Sequence, residues 1–210
     1  MATASGAPVD GRVRDRALTV LDVLVAATRA IDELGRRFAM VGGLATSLRG
    51  EPRTTRDVDL AVAVDDDADA EALVRDLTAR GYQIVAILEQ EATGRLATVR
   101  LVSPADGVTV VDIMFASCGI EPEIVAAATP VALAGTVIPV ASRGHLVAMK
   151  LLARDDVTRP QDVVDLVALR AKLEPTDIEV ARAACRLIEA RGAHRDRDLA
   201  RDLEAWLAGR

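Results

Sequence analysis

Two aspartates alternate with apolar residues in Asp57-Val58-Asp59-Leu60-Ala61-Val62-Ala63-Val64, and a third stands inside Val110-Val111-Asp112-Ile113-Met114. Alternation with a period of two marks a strand and turns the side chains of Asp57 and Asp59 to one face. A carboxylate inside an apolar strand costs folding free energy unless it is paired or holds a metal. Any fold available to this chain must bury the apolar faces of both strands and still give three carboxylates a reason to be there.

The material for such a core is aliphatic. Half of the 210 residues are hydrophobic but only 2% are aromatic, so Val, Leu, Ile and Ala must fill the interior, which suits helices laid on a buried sheet. The expected class is α/β (α+β): a mixed β-sheet flanked by helices, with a C-terminal helical bundle. Apolar residues at helical spacing predict a first helix over 13–34, ending at Gly35. Phe38 to Val41 reads as a strand that stops at Gly42-Gly43, followed by a short helix over 44–48. The strand over 57–64 leads into Asp65-Asp66-Asp67, an acidic run suited to cap a helix carrying Leu73, Val74 and Leu77. Strands are expected over 82–88, 96–102 and 108–115. From Ser142 onward the spacing is helical, with segments at 143–153, 160–171, 176–190 and 196–208; Thr176 and Glu179 have the capping-box spacing, and Pro160 sits where a first turn tolerates proline. The expected division is a sheet-bearing core over 1–141 and a helical region over 142–210 packed on it.

Charge and cysteine content narrow the function classes. A net charge of −6 does not give the general positive field of a nucleic-acid coat, so nucleic-acid contact would have to be local, for example through Arg49, Arg53, Arg56, Arg182 and Arg186. Cys118 and Cys185 form neither a C-x-x-C pair nor a disulfide framework, and His145 and His194 are isolated, so no zinc spacing is present. Without a signal-like start or a long apolar run, neither export nor a membrane span is expected, and the expected compartment is cytoplasmic.

The acidic residues point to metal-assisted phosphate chemistry. Asp57 and Asp59 on one strand face can share a cation cluster, and if the Asp112 strand lies beside them all three converge. Hard divalent ions such as Mg²⁺ prefer carboxylate oxygens, and a two-metal site neutralises phosphate charge in an in-line displacement. Gly42 and Gly43, at the start of a helix, would let a triphosphate approach backbone N–H groups. Each feature has a plainer alternative: a glycine pair as a turn, Asp57 and Asp59 as a solvated strand end.

In combination, Val41-Gly42-Gly43, then Ser47, Arg53-x-Thr55-x-Asp57-Val58-Asp59-Leu60 and Val111-Asp112-Ile113 resemble the nucleotidyltransferase superfamily, and most closely the AbiEii-like and MenT-like toxins of bacterial toxin–antitoxin pairs. The resemblance spans roughly residues 38 to 170. It implies a catalytic centre of Asp57, Asp59, Asp112, Lys150 and Asp162, with Asp57, Asp59 and Asp112 as metal ligands for two Mg²⁺ ions. It further implies nucleotide binding by Gly42, Gly43, Ser47, Arg53, Thr55 and Lys150. The later segment with Lys150, Arg159, Asp162 and Asp165 is similar to the family's lysine, basic residue and Asp-x-x-Asp; Asp162 would hold Lys150 or the nucleotide in place.

The implied reaction is transfer of a nucleoside monophosphate from a nucleotide triphosphate to an RNA acceptor, the tRNA 3′ end, releasing pyrophosphate and blocking translation. A cognate antitoxin protein is the implied partner. Two alternatives stay open: transfer to a small molecule such as an aminoglycoside or to a protein hydroxyl, and a catalytically silent homologue that binds a partner.

Overall fold

A computed structural model describes residues 19–155 and 160–209. Residues 13–18 of the expected first helix, and Arg159, lie outside the described residues. Helix α1 (Val20–Glu33) is capped by Thr19, whose hydroxyl accepts from the Asp22 N–H while the Asp22 carboxylate accepts from the Thr19 N–H at 2.8 Å. This reciprocal pair satisfies two donors that the first turn leaves without a helical partner.

The chain continues as β1 (Phe38–Met40), α2 (Gly42–Arg49), β2 (Val58–Val62), α3 (Asp67–Ala79), β3 (Gln83–Glu89), β4 (Leu96–Val102) and β5 (Val110–Met114). Asp66 caps α3 by accepting from the Asp69 N–H at 2.9 Å, one of the roles expected of the acidic run. Then follow α4 (Glu121–Ala126), the hairpin β6 (Thr129–Leu133) and β7 (Thr136–Val140), and α5 (Arg143–Ala153), α6 (Pro160–Arg170), α7 (Pro175–Ala190) and α8 (Leu199–Leu207). The expected mixed sheet and C-terminal helices are both present.

Sequence reasoning missed α4 and the hairpin. Pro130 and Pro139 demote both halves of that hairpin as strands, yet they face each other in it. The pairing survives because β6 is an edge strand and β7 meets β1 only at Met40 and Val140. The capping box of α7 lies two residues before the expected one. Pro175 starts the helix, so the Asp177 carboxylate reaches back to the Glu174 N–H at 3.1 Å, in place of the Thr176–Glu179 pair.

The seven strands form one sheet in the order β3-β4-β5-β2-β1-β7-β6. β2 pairs antiparallel with β1 and parallel with β5, and in the second pairing Asp59 stands opposite Asp112. That register sets two carboxylates side by side. Burial of Val58, Leu60, Val62, Val111 and Ile113 holds it, because a slip by one residue would turn this apolar set toward the cleft.

One apolar core runs from α1 through the sheet into the C-terminal helices, joining Leu24, Leu60 and Ile113 to Leu146, Leu151 and Ile188. α5 is its hinge point. Gly144 lets α5 press against α7, since a β-carbon there would collide with the Asp177 carbonyl oxygen and stand 2.7 Å from the Val180 Cβ. The Trp206 side chain is also buried, with the Arg170 guanidinium 5.7 Å above its ring, so it packs as part of the core.

Candidate active site

A cleft of about 700 Å³ lies where β2 and β5 face α2, α5 and α6. Its wall includes Gly42, Gly43, Arg53, Thr55, Asp57, Asp59, Asp112, Lys150 and Asp162, so residues spread over 120 positions of sequence meet at one place. Ser47 does not line it. The Ser47 hydroxyl instead donates to the carbonyls of Gly43 at 3.0 Å and Arg53 at 3.3 Å, tying the loop after α2 to the helix. Of the two roles its hydroxyl could serve, phosphate contact or backbone staple, the structure shows the staple.

The glycine pair has a reason the sequence did not reveal. Gly42 has φ +62°, a left-handed conformation that L side chains rarely adopt, and a β-carbon there would overlap the Asp59 carboxylate and stand 2.6 Å from the Asp59 Cβ. Glycine at 42 thus makes room first for the aspartate. At Gly43 a β-carbon would come within 2.7 Å of the Thr55 hydroxyl and 2.9 Å of an Arg53 nitrogen, and the Gly43 N–H donates to Asp59 at 3.3 Å. Gly42→Ala is expected to lower transfer activity at least ~100-fold and stability by about 2 kcal/mol or more, because strain and overlap act on the same carboxylate. Activity within threefold of wild type in a radiolabel transfer assay would refute this.

The acids are unequal. Asp57 is exposed just ahead of β2, Asp59 is half-buried on it, and Asp112 is buried. The Asp59 carboxyl is pushed up to about 6 by burial first, then by the charge of Asp112 and, less, of Asp57; the Gly43 N–H and Lys150 oppose the rise. Asp112 is held bidentately by Arg100, directly across from it on β4, at 2.9 and 2.7 Å. Arg100 is the cleft residue that sequence reasoning missed. Its signal was present: a lone arginine in Leu96-Ala97-Thr98-Val99-Arg100-Leu101-Val102 is as anomalous as the aspartate it pairs with.

This pairing bears on the expectation that Asp57, Asp59 and Asp112 all serve as metal ligands. Carboxylate oxygens suit a hard divalent cation, and the lifted Asp59 carboxyl reports negative charge that a cation would relieve. However, both Asp112 oxygens are engaged by Arg100, and among the described residues no three His, Cys, Asp or Glu side chains form a ready ligand shell. Asp57 and Asp59 fit the ion; Asp112 would have to exchange its guanidinium partner to join them.

On the other wall, Lys150 is buried between two carboxylates of α6, with Nζ 2.7 Å from Asp162 and 2.8 Å from Asp165. Asp162 and Asp165, three apart, share the helix face toward α5. Arg53 closes the network with two hydrogen bonds to Asp165, at 2.6 and 2.9 Å. Burial raises the Asp165 carboxyl, but the bonds from Arg53 and Lys150 outweigh it and hold it below its ordinary value. Arg53, which the resemblance implies as a nucleotide-binding residue, thus also holds a helix carboxylate at the edge of the cleft. Lys150 has three donors and spends two here, leaving one for a ligand. Cys118 also lines the cleft, but burial, then Glu121, lifts its thiol well above the ordinary value, so it is no nucleophile.

The expected basic track does not form as read. Arg49 is spent on the carbonyls of Ala141 and Val140, both at 3.1 Å, and Arg182 on Glu204 and Glu179, both at 2.7 Å. Arginines on helices paired with nearby acceptors, whose positions a linear reading could not supply.

Two further cleft cations, Arg56 and Arg195, have no carboxylate partner among the described residues. Arg195 belongs to the loop between α7 and α8, where Arg195 and Asp196 both have positive φ, 52° and 58°. Among the described residues, no helix is long and apolar enough to cross a membrane.

Comparison with known proteins agrees with this architecture. Residues 23–208 match the family described as nucleotidyl transferase AbiEii toxin, Type IV TA system. No curated protein matches. Among solved structures, an antigenic nucleotidyltransferase-like protein from Paracoccidioides brasiliensis is similar with 21% identity and a TM-score of 0.51, over 87% of this chain and 90% of that one, which shows a shared fold. The lincomycin-bound lincosamide antibiotic adenylyltransferase LnuA is similar at 15% identity and a TM-score of 0.48, over 72% of this chain and 96% of that one. With the family matched over nearly its whole length, the chain belongs to the AbiEii nucleotidyltransferase toxins.

Proposed function

We propose that this chain transfers a nucleoside monophosphate from a nucleotide triphosphate to a hydroxyl of RNA, the tRNA 3′ end, and so blocks translation in the cytoplasm until a cognate antitoxin restrains it. The observation that carries the reading is the Asp59–Asp112 register on parallel strands, set beside the Gly42-Gly43 start of α2 in one cleft. RNA as acceptor rests on the family resemblance.

In this reaction the acceptor oxygen bonds to the α-phosphorus, the bond from that phosphorus to the bridging oxygen breaks, and pyrophosphate leaves with the electron pair. Asp57 and Asp59 would hold Mg²⁺, which when bound neutralises phosphate charge and makes the acceptor hydroxyl more acidic. Asp112, held in place by Arg100 and adjacent to Asp59, is the carboxylate suited to orient that hydroxyl and take its proton. The remaining Lys150 donor and the N–H groups at the start of α2 can hydrogen-bond oxygens of the triphosphate.

The test is incubation with each α-³²P nucleotide triphosphate, Mg²⁺ and total tRNA, resolved on a denaturing gel. Label entering tRNA with wild type and disappearing with Asp59→Ala is the expected result, and it also names the nucleotide. A folded wild-type protein that labels no RNA would sink the RNA reading.

A further inference from the structure

We infer that Arg195 is a phosphate-binding cation of the cleft, presented by a backbone turn that arginine does not favour. The inference rests on the nucleotidyl-transfer reading of the same cleft and names a residue that the sequence did not mark.

The first observation is a charge inventory. Arg53 is committed to Asp165, Arg100 to Asp112, and Lys150 to Asp162 and Asp165, at 2.6 to 2.8 Å. These cations neutralise carboxylates already present, so they add little positive potential for an incoming polyanion. Among the described residues, Arg56 and Arg195 remain. Arg56 is the chain neighbour of Asp57 in an exposed segment. Arg195 is exposed but aimed: its guanidinium donates to the Ser117 carbonyl at 3.1 Å, which leaves its other N–H groups to the cleft.

The second observation is independent and concerns the backbone. The Arg197 N–H donates to the His194 carbonyl at 3.0 Å, closing a four-residue turn whose two central residues are Arg195 and Asp196. Both have positive φ, the pattern of a type I′ turn, which favours glycine or asparagine at its first central position. Arginine gains nothing from that conformation, because its β-carbon is crowded there and its side chain makes no local turn bond. Strained residues persist where the surroundings fix them, and they cluster at ligand clamps.

The third is location. Arg195 and Ser117 line both the acid-bearing cleft and a neighbouring pocket of about 410 Å³ that reaches Thr98 and Gln90. A guanidinium at that seam meets any substrate that extends from the carboxylates along β4 and β5. The ligand chemistry is a phosphate, belonging either to the donor's triphosphate or to the acceptor's sugar–phosphate chain, and the planar fork of arginine suits two of its oxygens.

The variant that separates ligand binding from folding is Arg195→Asn, because asparagine fits the turn while removing the guanidinium. Its melting temperature should equal or exceed that of wild type. Calorimetric titration with tripolyphosphate and Mg²⁺, and with a short single-stranded RNA bearing a free 3′-hydroxyl, distinguishes the two phosphate sources. Weakening of tripolyphosphate binding at least tenfold assigns Arg195 to the donor. Weakening of RNA binding alone, with a shallower dependence on salt, assigns it to the acceptor. Arg195→Lys should recover part of whichever affinity is lost. Wild-type binding left unchanged in Arg195→Asn overturns this inference alone, whereas a wild type that binds neither probe overturns it together with the nucleotidyl-transfer reading.

Discussion

Asp59→Asn is expected to abolish nucleotidyl transfer and at the same time to make the metal-free protein more stable. Under the proposed reaction the loss of activity is at least ~10³-fold, because the variant removes a charge that would hold the ion and face the transferred phosphate. The gain in stability follows from where that charge sits. In the folded chain the Asp59 carboxyl is lifted to about 6, above its ordinary value of 3.8, by burial and by Asp112 and Asp57. A carboxyl whose folded value is raised takes stability away as pH climbs from its unfolded value to its folded one, and the cost stays constant above that window.

The Asn variant escapes the cost, yet keeps an oxygen that can accept the Gly43 N–H. Allowing for the partial exposure of Asp59, the gain at pH 8 in EDTA is on the order of 1–2 kcal/mol, or about 2–8 °C in melting temperature for a chain of this size. The difference shrinks toward zero by pH 4, and added Mg²⁺ raises the melting temperature of wild type but not of the variant. A variant that melts below wild type at pH 8 would show that the carboxylate cluster is not the source of strain described.

Lys150→Met has the opposite effect on the fold. The ammonium lies between Asp162 and Asp165, whose side chains are 3% and 1% exposed, and its removal takes a cation away from two buried carboxylates at once, of which Asp165 keeps Arg53. Breaking a buried pair from one side costs about 3–5 kcal/mol, even though a pair replaced as a whole can be neutral. The stem of methionine fills the space of the lysine stem, so the loss is electrostatic and not a cavity effect. Urea denaturation should show a fall in midpoint with little change in slope. Adding Asp162→Asn to Lys150→Met should restore more than half of the loss, because the two sites are coupled through one charge. A single-variant loss below about 1 kcal/mol would mean that the pair is effectively solvated.

Both experiments bear on how far this site could be read before the chain was folded. Aspartates at 57, 59 and 112 were legible because each breaks an apolar alternation, and burying a charge demands an explanation wherever it occurs. Helices from Arg143 onward were legible for the complementary reason: their apolar spacing is local and long, and α5 runs over the residues 143–153 that spacing predicts. Short elements with mixed signals were not. The β6–β7 hairpin carries two prolines and gains its place by pairing with β1, a contact 100 residues away in sequence. Apart from the Lys150–Asp162 pair, the partners of the charges were hidden, since Arg100, Asp165 and Arg195 are distant in sequence from the residues they serve.

The sequence by itself determined which residues could not be explained as core or as solvated surface, because hydrophobic period and the cost of buried charge are properties of a few neighbouring positions. It thereby pointed to the mixed class of the fold and to the acids and glycines that meet in the cleft. Only the tertiary structure decided what each of those residues touches. Gly42 makes room for Asp59, Asp112 answers to Arg100, Ser47 serves the backbone, and Arg53 serves Asp165. These assignments depend on strand register and helix docking, which the whole apolar core fixes cooperatively, and no local pattern encodes the distance between two side chains a hundred residues apart.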